Sequence, residues 1–360
     1  MSLLPYGLVR RSSRLLTPVR ALVRGGWLRE ASVDAVLKAL HPAWRLNRVF
    51  TRLRERRWVA DDMLALTLLP NGNWRGARAG QHIQLYLELD GVRLSRSYSL
   101  TAVKPDGSIE IAIKRHAGGR LSNRLLDYLA VGDVLEIGEP YGELQWPNEA
   151  ESVLLLAAGS GLTPLLGLLR SALQAGFSAP VELLHYVRDA GQQAFAQELQ
   201  ALQRQYQNLR VRPMLSSQLG RFVPEHVQTF TASHGLTCGP FGFVSSVRDW
   251  WDATARTPLQ FESFTPPAVS EDVTHTPLLM RFARAQQEVL GNSGSSLLQQ
   301  AEAAGLRPAH GCRQGICASC TCLLLSGVVR DQRSGALLSE PGQSIRLCVS
   351  VPMGDVVVDI

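Results

Sequence analysis

Cysteine is scarce in this chain: six among 360 residues, with four of the six between 312 and 322. That number and that clustering exclude a disulfide scaffold, which needs denser and more dispersed cysteines in a shorter chain. The pattern fits a reducing compartment and a metal site, and the chain reads as cytoplasmic. Long apolar runs are also missing. The most apolar uncharged run, VLLLAAGSGLTPLLGLL at 153–169, has 17 residues and carries Gly-Ser-Gly and Thr-Pro at its centre. It falls short of a membrane span and reads as a buried strand, a turn and a helix. The opening stretch MSLLPYGLVRRSSRLLTPVR has arginines in every apolar run, so no secretory h-region forms. No internal repeat is present. A general basic surface is absent too, although the net charge is +6: residues 1–57 hold 13 Lys/Arg against three acidic residues, and the rest hold 24 against 28. This argues against nucleic acid as a partner and for one locally attractive face.

What is present, 45% hydrophobic and 19% charged residues, is ordinary for a soluble globular protein with two or three cores. Four parts and a linker follow from the patterning. Residues 1–45 form a basic leader, in which Val33, Val36, Leu37 and Leu40 make one helical stripe and Ser32 is a candidate cap. Residues 46–147 hold short alternating strands such as QHIQLYLEL, RSYSL and SIEIAIKR, punctuated by Asp90-Gly91 and Asp106-Gly107, which predicts a small antiparallel barrel. Across 150–262 strands alternate with helices near 164–175, 194–205 and 241–251, and RVRPML leads into a loop; this is the signature of a parallel α/β sheet. Residues 263–274, SFTPPAVSEDVT, have linker composition. Residues 275–360 carry the cysteine cluster.

The cluster is spaced Cys312-x4-Cys317-x2-Cys320, with Cys348 after 27 further residues. Zinc ribbons favour two matched C-x2-C hooks, and only one exists here. The spacing is instead that of plant-type [2Fe–2S] sites, in which each iron takes two thiolates. The small residues Gly315, Ala318 and Ser319 let backbone amides turn toward sulfur. Cys322 alternates away from Cys320 and reads as packing. On these residues the segment resembles the plant-type ferredoxins, which implies a β-grasp fold, a helix at Ser295–Ala304 and MGDVVVDI as a closing strand. Unlike the acidic free carriers, it holds seven Arg against six Asp/Glu. A domain tethered to its donor needs less electrostatic steering.

A cluster of this type accepts one electron at a time, whereas NADH and NADPH give two as hydride, so a flavin is the expected converter. Arg96-Ser97-Tyr98-Ser99 resembles the R-x-Y-S motif of the ferredoxin–NADP reductase superfamily. The resemblance implies that Arg96 pairs with a flavin phosphate, Tyr98 lies against the isoalloxazine and Ser99 hydrogen-bonds near N5. A guanidinium suits phosphate and a flat phenol suits a flat ring. In IAIKRHAGGRLSN the resemblance adds Lys114, Gly118, Gly119, Arg120, Leu121 and Ser122. There the two glycines free the backbone, and Ser122-Asn123 open a helix whose N-terminus suits an anion. Gly159-Ser160-Gly161-Leu162-Thr163-Pro164 lacks the third glycine of the dinucleotide fingerprint but matches the superfamily's G-x-G-x-T-P form, with Thr163 placed to cap and Pro164 in the first turn. Cys238-Gly239-Pro240 matches its C-G-P stretch, which implies that Cys238 lies near the hydride path. Arg188, with Arg221 as a second candidate, is placed for a ribose 2′-phosphate; the reading favours NADPH over NADH, and FAD over FMN.

The chain is therefore expected to be a multidomain α/β plus β reductase: an antiparallel flavin-binding β-barrel, a parallel-sheet nucleotide-binding domain and a β-grasp ferredoxin domain, using FAD, NADPH (or NADH) and a [2Fe–2S] cluster. The resemblance extends to reductase components of multicomponent oxygenases and desaturases. The leader, followed by HPAWRLNRVF, resembles the reductase partners of membrane-bound acyl-CoA desaturases. An integral-membrane fatty-acyl desaturase is thus the expected acceptor, with an aromatic-ring or alkane oxygenase as the alternative and a redox sensor as a third reading. The leader either lies on the inner face of an anionic membrane or straps across the flavin domain.

Overall fold

The computed structural model describes residues 4–89, 91–254, 259–265 and 277–360. Asp90 and residues 266–274 of the expected linker lie outside them. Two compact units form: Met1–Cys238 with Val247–Phe261, and Gly239–Ser246 with Glu262–Ile360.

In the first unit the leader contributes α1 (Tyr6–Arg11), α2 (Thr17–Arg24) and α3 (Glu30–Leu40). It is a strap. Tyr6 and Val9 pack with Ala43 against Phe50, Leu69 and Val134, while Leu16 and Leu37 pack on Leu46. Tyr6 Oη donates to the Leu69 carbonyl, Arg20 Nη2 donates to Leu46 O at 2.8 Å and Asn73 Oδ1 at 2.8 Å, and buried Asp34 accepts from Leu46 N–H at 2.7 Å. Ser32 does not cap: α3 starts at Glu30 behind Arg29 with no side-chain cap, so Ser32 lies inside the first turn. The predicted apolar stripe also divides, with Leu37 buried and Val36 63% exposed. The outer face keeps Leu15 at 77% and Trp27 at 81% exposure.

The barrel follows as β1 (Val49–Ala60), β2 (Met63–Pro70), β3 (His82–Leu89), β4 (Val92–Val103), β5 (Ile109–Lys114), α4 (Arg120–Tyr128) and β6 (Val134–Ile137). It closes in the order β1-β2-β5-β4-β3-β6. Alternation puts Leu64, Leu66, Leu68, Ile83, Leu85, Ile109, Ile111 and Ile113 into one interior with Leu121, Leu125 and Leu126 of α4. Each fully buried aliphatic side chain contributes about 1.5–3 kcal/mol. Gly107, at φ +80, makes the β4–β5 turn.

The nucleotide-type sheet comprises β7 (Val153–Ala158), α5 (Leu162–Gln174), β8 (Val181–Val187), α6 (Ala196–Gln205), β9 (Leu209–Leu215), α7 (Ser216–Leu219), β10 (His234–Gly239), α8 (Phe241–Thr254) and β11 (Leu259–Ser263), in strand order β11-β10-β7-β8-β9. β10, β7, β8 and β9 run parallel. The run 153–169 is a strand, a single 3₁₀ turn and a helix, and among the described residues no helix is long and apolar enough to cross a membrane. The loop expected after RVRPML instead starts with the short α7, whose helix stops at Gly220, φ +76.

In the second unit β12 (Pro277–Phe282), β13 (Gln287–Asn292), α9 (Leu297–Ala303), β14 (Thr321–Ser326), β15 (Val329–Asp331), β16 (Leu337–Leu338), β17 (Gln343–Arg346), β18 (Ser350–Pro352) and β19 (Val356–Val358) form two sheets. Their orders are β13-β12-β19-β14-β17 and β16-β15-β18. β12 and β19 pair in parallel. α9 is capped by Ser296 and Gln299 reciprocally, a capping box.

Candidate functional site

In the first unit β4 displays the R-x-Y-S motif with alternating faces. Register pairs Arg96 with Leu85, Ser97 with Gln84, Tyr98 with Ile83 and Ser99 with His82. Arg96 is exposed, Tyr98 is half-buried against the barrel core and Ser99 is buried. Burial pushes the Tyr98 phenol well above its ordinary pKa, against the pull of Arg96. Ser97 has partners that sequence reasoning missed. Gln84 Nε2 donates to Ser97 Oγ at 3.0 Å and to Tyr141 Oη at 2.9 Å, and the two hydroxyls lie 2.9 Å apart.

Downstream, α4 begins at Arg120 with Gly119 as its N-cap, two residues before the predicted start. Ser122 and Asn123 sit inside the first turn. Asn123 Nδ2 reaches back to His116 O at 2.9 Å, and a Cβ on Gly119 would lie 2.4 Å from Ser122 Oγ. Glycine at 119 thus lets the 115–119 loop fold onto the helix. Gly118 is at φ +70, and Leu121 is buried in the barrel core.

At the carboxyl edge of the parallel sheet, Gly159 (φ +56) starts the turn into α5. Thr163 does not cap: α5 starts at Leu162 behind Gly161, and Thr163 Oγ1 donates to Ser160 O at 2.9 Å within the turn. Pro164 falls in the first turn, where its missing N–H costs nothing. Cys238 pairs in register with Ala157, fully buried, so it and the 157–163 segment share the edge where open α/β sheets bind ligands. Arg188 follows β8 and is exposed, as is Arg221. The structure brings Lys114 to this turn: its Nζ lies 3.8 Å from where a Gly159 Cβ would stand, and it pairs with Asp62 at 3.3 Å.

His185, which carried no sequence signal, holds the same turn. Its Nε2 lies 3.0 Å from Gly159 O, which a neutral imidazole reaches as donor. Complete burial, with Lys114 adding to it against the Gly159 bond, lowers its pKa from 6.5 to about 4. The unfolded chain therefore binds one more proton than the folded one between those values. The contribution is fully present above pH 6.5 and is lost as pH falls toward 4, on the order of 3 kcal/mol in all. His185→Gln is expected to flatten the fall in urea midpoint between pH 6.5 and 4.5. A variant that keeps the wild-type slope would refute this role for His185.

In the second unit the cysteine loop turns its amides inward. Gln314, Ile316 and Cys317 N–H donate to Cys312 Sγ at 3.3, 3.4 and 3.3 Å. Cys312 N–H reaches Cys317 Sγ at 3.2 Å, and Gly315 N–H reaches Cys348 Sγ at 3.2 Å. Hydrogen bonds with the Cys317 and Cys348 thiols, then the amides, outweigh burial and hold the Cys312 thiol far below its ordinary range. All four spaced cysteines are buried, and Cys322 packs in the core beside Cys320. Four buried thiols ringed by amide donors suit an iron–sulfur cluster. Among the described residues no three His, Cys, Asp or Glu are placed around a single metal ion; a two-iron cluster asks for two thiolates per iron. Glycine is required at 315, where φ is +71 and a Cβ would meet Arg333 and Val349 at 2.7–3.0 Å. Its carbonyl accepts from Arg333 Nη1 at 2.9 Å and from Arg346 Nη1. Gln314 Nε2 donates to Phe264 O, and Phe264 N–H donates to Gly239 O at 2.9 Å. Pro240 follows, exposed. Nearby Glu262 is raised to about 7 by burial, with Arg333 pulling it down and Cys312 pushing it up.

The chain matches three domain families: an oxidoreductase FAD-binding domain at 51–146, an oxidoreductase NAD-binding domain at 155–249 and a 2Fe-2S iron-sulfur cluster binding domain at 282–353. It is 30% identical over 344 residues to an NADPH oxidoreductase of Mycobacterium tuberculosis, covering 91% of this chain and 88% of the relative. It is 28% identical to a component of the 1,2-phenylacetyl-CoA epoxidase of Escherichia coli, covering 78% and 88%. In fold it is similar to phthalate dioxygenase reductase, with a TM-score of 0.58, 24% identity, and 86% and 97% covered. With FAD-, NAD- and [2Fe–2S]-binding domains in that order, the chain belongs to the ferredoxin–NADP reductase superfamily, among the flavin and iron–sulfur reductases that resemble oxygenase reductase components.

Proposed function

We propose that this reductase draws hydride from NADPH and delivers single electrons to an external oxygen-activating protein, and that the acceptor is an integral-membrane fatty-acyl desaturase. Bound there, FAD would supply hydride uptake and a [2Fe–2S] cluster would supply one-electron transfer. The chain's residues hold and orient. Arg96 and the start of α4 carry the flavin phosphates, with Lys114, Gly118, Gly119, Arg120, Leu121 and Ser122 around them. Tyr98 would lie against the flavin ring and Ser99 would offer it a hydroxyl. Gly159, Gly161, Thr163 and Pro164 seat the dinucleotide, and Arg188 takes the 2′-phosphate. Cys238, with Gly239 and Pro240, borders the nicotinamide. Cys312, Cys317, Cys320 and Cys348 ligate the cluster. The observation that carries the one-electron output is the amide-ringed cysteine quartet on the same chain as the nucleotide sheet.

The membrane acceptor draws support from the leader. Its inner side is spent on the barrel, while Leu15, Trp27, Arg11, Arg24 and Arg29 remain exposed. Because Leu16, Leu37 and Tyr6 are core residues, deleting the leader would unfold the barrel's flank, so the surface must be tested by point changes. Purified reductase, NADPH and a membrane desaturase in anionic vesicles are expected to yield acyl product. Leu15→Ser with Trp27→Ser is expected to lower that yield several-fold while leaving cytochrome c reduction unchanged. The other reading, an aromatic-ring or alkane oxygenase as acceptor, is favoured by the likeness to the epoxidase component and to the phthalate reductase. Product from such an oxygenase, with none from the desaturase, would decide for it.

A further inference from the structure

We propose that Arg170 is a positioning residue for hydride transfer, riveting the strand that carries Arg96–Ser99 to the helix that grows out of the 159–164 turn. All the groups involved lie in the first unit.

Arg170 lies in the third turn of α5, with only 12% of its side chain exposed. Its Nη1 donates to Thr101 O at 2.7 Å, two residues past Ser99, and to Glu110 Oε1 at 2.9 Å. Its Nε and Nη2 reach Glu198 Oε1 of α6 at 2.6 and 2.5 Å. Glu110, itself 5% exposed, also accepts from Thr101 Oγ1 at 2.7 Å and from Arg57 Nη2 at 3.1 Å. Three barrel strands and two helices of the nucleotide sheet therefore meet on one guanidinium–carboxylate knot. Phe195 adds a clamp. Its ring lies under Arg170 at 5.2 Å and Arg57 at 5.4 Å, and its N–H donates to Val59 O of β1 at 2.8 Å. One turn before Arg170, Gly167 removes the last spacer between helix and strand: a Cβ there would lie 2.2 Å from Leu100 O.

A knot of this kind is poorly explained as a source of stability. Desolvating the charges roughly cancels their attraction, and apolar replacements of buried pairs are often neutral. What a planar, five-donor fork does supply is a single geometry. Hydride transfer needs one, because reacting atoms must approach to about 3–3.5 Å and a misplacement of about 1 Å costs roughly 100-fold. Arg170 stands about 13 Å along the helix from Gly161, so a few degrees of helix tilt about the knot shift the turn by that much.

The test uses the FAD-loaded full chain and stops at flavin reduction, so it is independent of the acceptor. Arg170→Met is expected to keep flavin content and NADPH affinity within about threefold. Its single-turnover flavin reduction should slow by about 10–100-fold, with a larger deuterium isotope effect from 4-deuterated NADPH as the transfer itself becomes limiting. Arg170→Lys should recover part of the rate. Without cofactors, calorimetry of Arg170→Met should separate barrel and nucleotide-sheet unfolding into two transitions. Glu198→Gln, which leaves the Thr101 and Glu110 bonds in place, should show a smaller version of the same slowing. A wild-type rate in folded Arg170→Met overturns the proposal, as does a loss confined to NADPH affinity or one that tracks only the folded fraction.

Discussion

Cys348→Ser is expected to reduce NADPH-driven reduction of a protein acceptor by about 100-fold or more, since even outer-layer partners of a metal ligand matter 10–100-fold. The yellow chromophore and NADPH-driven reduction of ferricyanide should survive, because that small oxidant takes electrons from the flavin directly. The dissociation between the two assays is the decisive reading. Cys348 enters from beyond β17, while the other three ligands sit on one loop, and Gly315 N–H already points at its sulfur. Losing this thiolate leaves one iron a single protein ligand and the loop a donor with no acceptor. Iron and labile sulfide should fall together in the purified variant. Cys322→Ser, by contrast, changes a core position beside Cys320 and should retain both. Equal loss in the two variants would mean that the four-ligand assignment is wrong.

Gly327→Ala should have nearly the same outcome without touching a ligand. Gly327 joins β14 to β15 at φ +96, and a Cβ there would lie 2.2 Å from Asp355 O and 2.9 Å from Val356 Cα. Both are backbone atoms at the entry to β19, so no rotamer relieves the overlap. Backbone strain and overpacking together cost about 2–5 kcal/mol, a large share of what a unit of this size holds in reserve. β19 is the strand that β12 and β14 both pair with, so its displacement opens the sheet on both sides. The expected result is protein that binds FAD but carries little iron and is cut readily by protease within 277–360. Full iron content in Gly327→Ala would show that the strand can yield.

How far the sequence carried these conclusions depends on the range over which each choice was made. Ligand spacing was legible because three thiols on one loop must obey local geometry, whatever surrounds them. The strand–turn–helix of 153–174 was legible for the same reason: glycine, proline and an apolar run act within a few residues of one another. Helix starts were less so. Ser32, Ser122 and Thr163 all have capping chemistry, yet each lies inside a helix that begins one or two residues earlier. There Arg29 and Gly119 supplied an extended N-cap, and Gly161 is the last residue of a 3₁₀ turn that runs straight into α5. Least legible were residues whose meaning is tertiary. His185 reads as an interruption in VELLHYV until Gly159 arrives from 26 residues upstream. Gln84 and Tyr141 are 57 apart, and Arg170 and Glu110 are 60 apart. No local rule announces such pairs. The leader packs Tyr6, Val9 and Leu16 on its barrel side, a tertiary placement that its basic amphipathic pattern did not announce.

The doubly held carbonyl of Gly315 reaches further than loop rigidity. That oxygen belongs to the same peptide group as the Ile316 N–H, which points at Cys312 Sγ. Two guanidiniums drawing electron density toward the oxygen leave the hydrogen at the other end more positive, as linked hydrogen bonds do. Arg333 and Arg346, both only partly covered, are thereby wired through one amide plane to a sulfur in the interior. Anything that neutralises those two side chains from outside, whether a crowd of anions or the carboxylates of a docked protein, would be felt at that sulfur as a change in how readily it gives up charge.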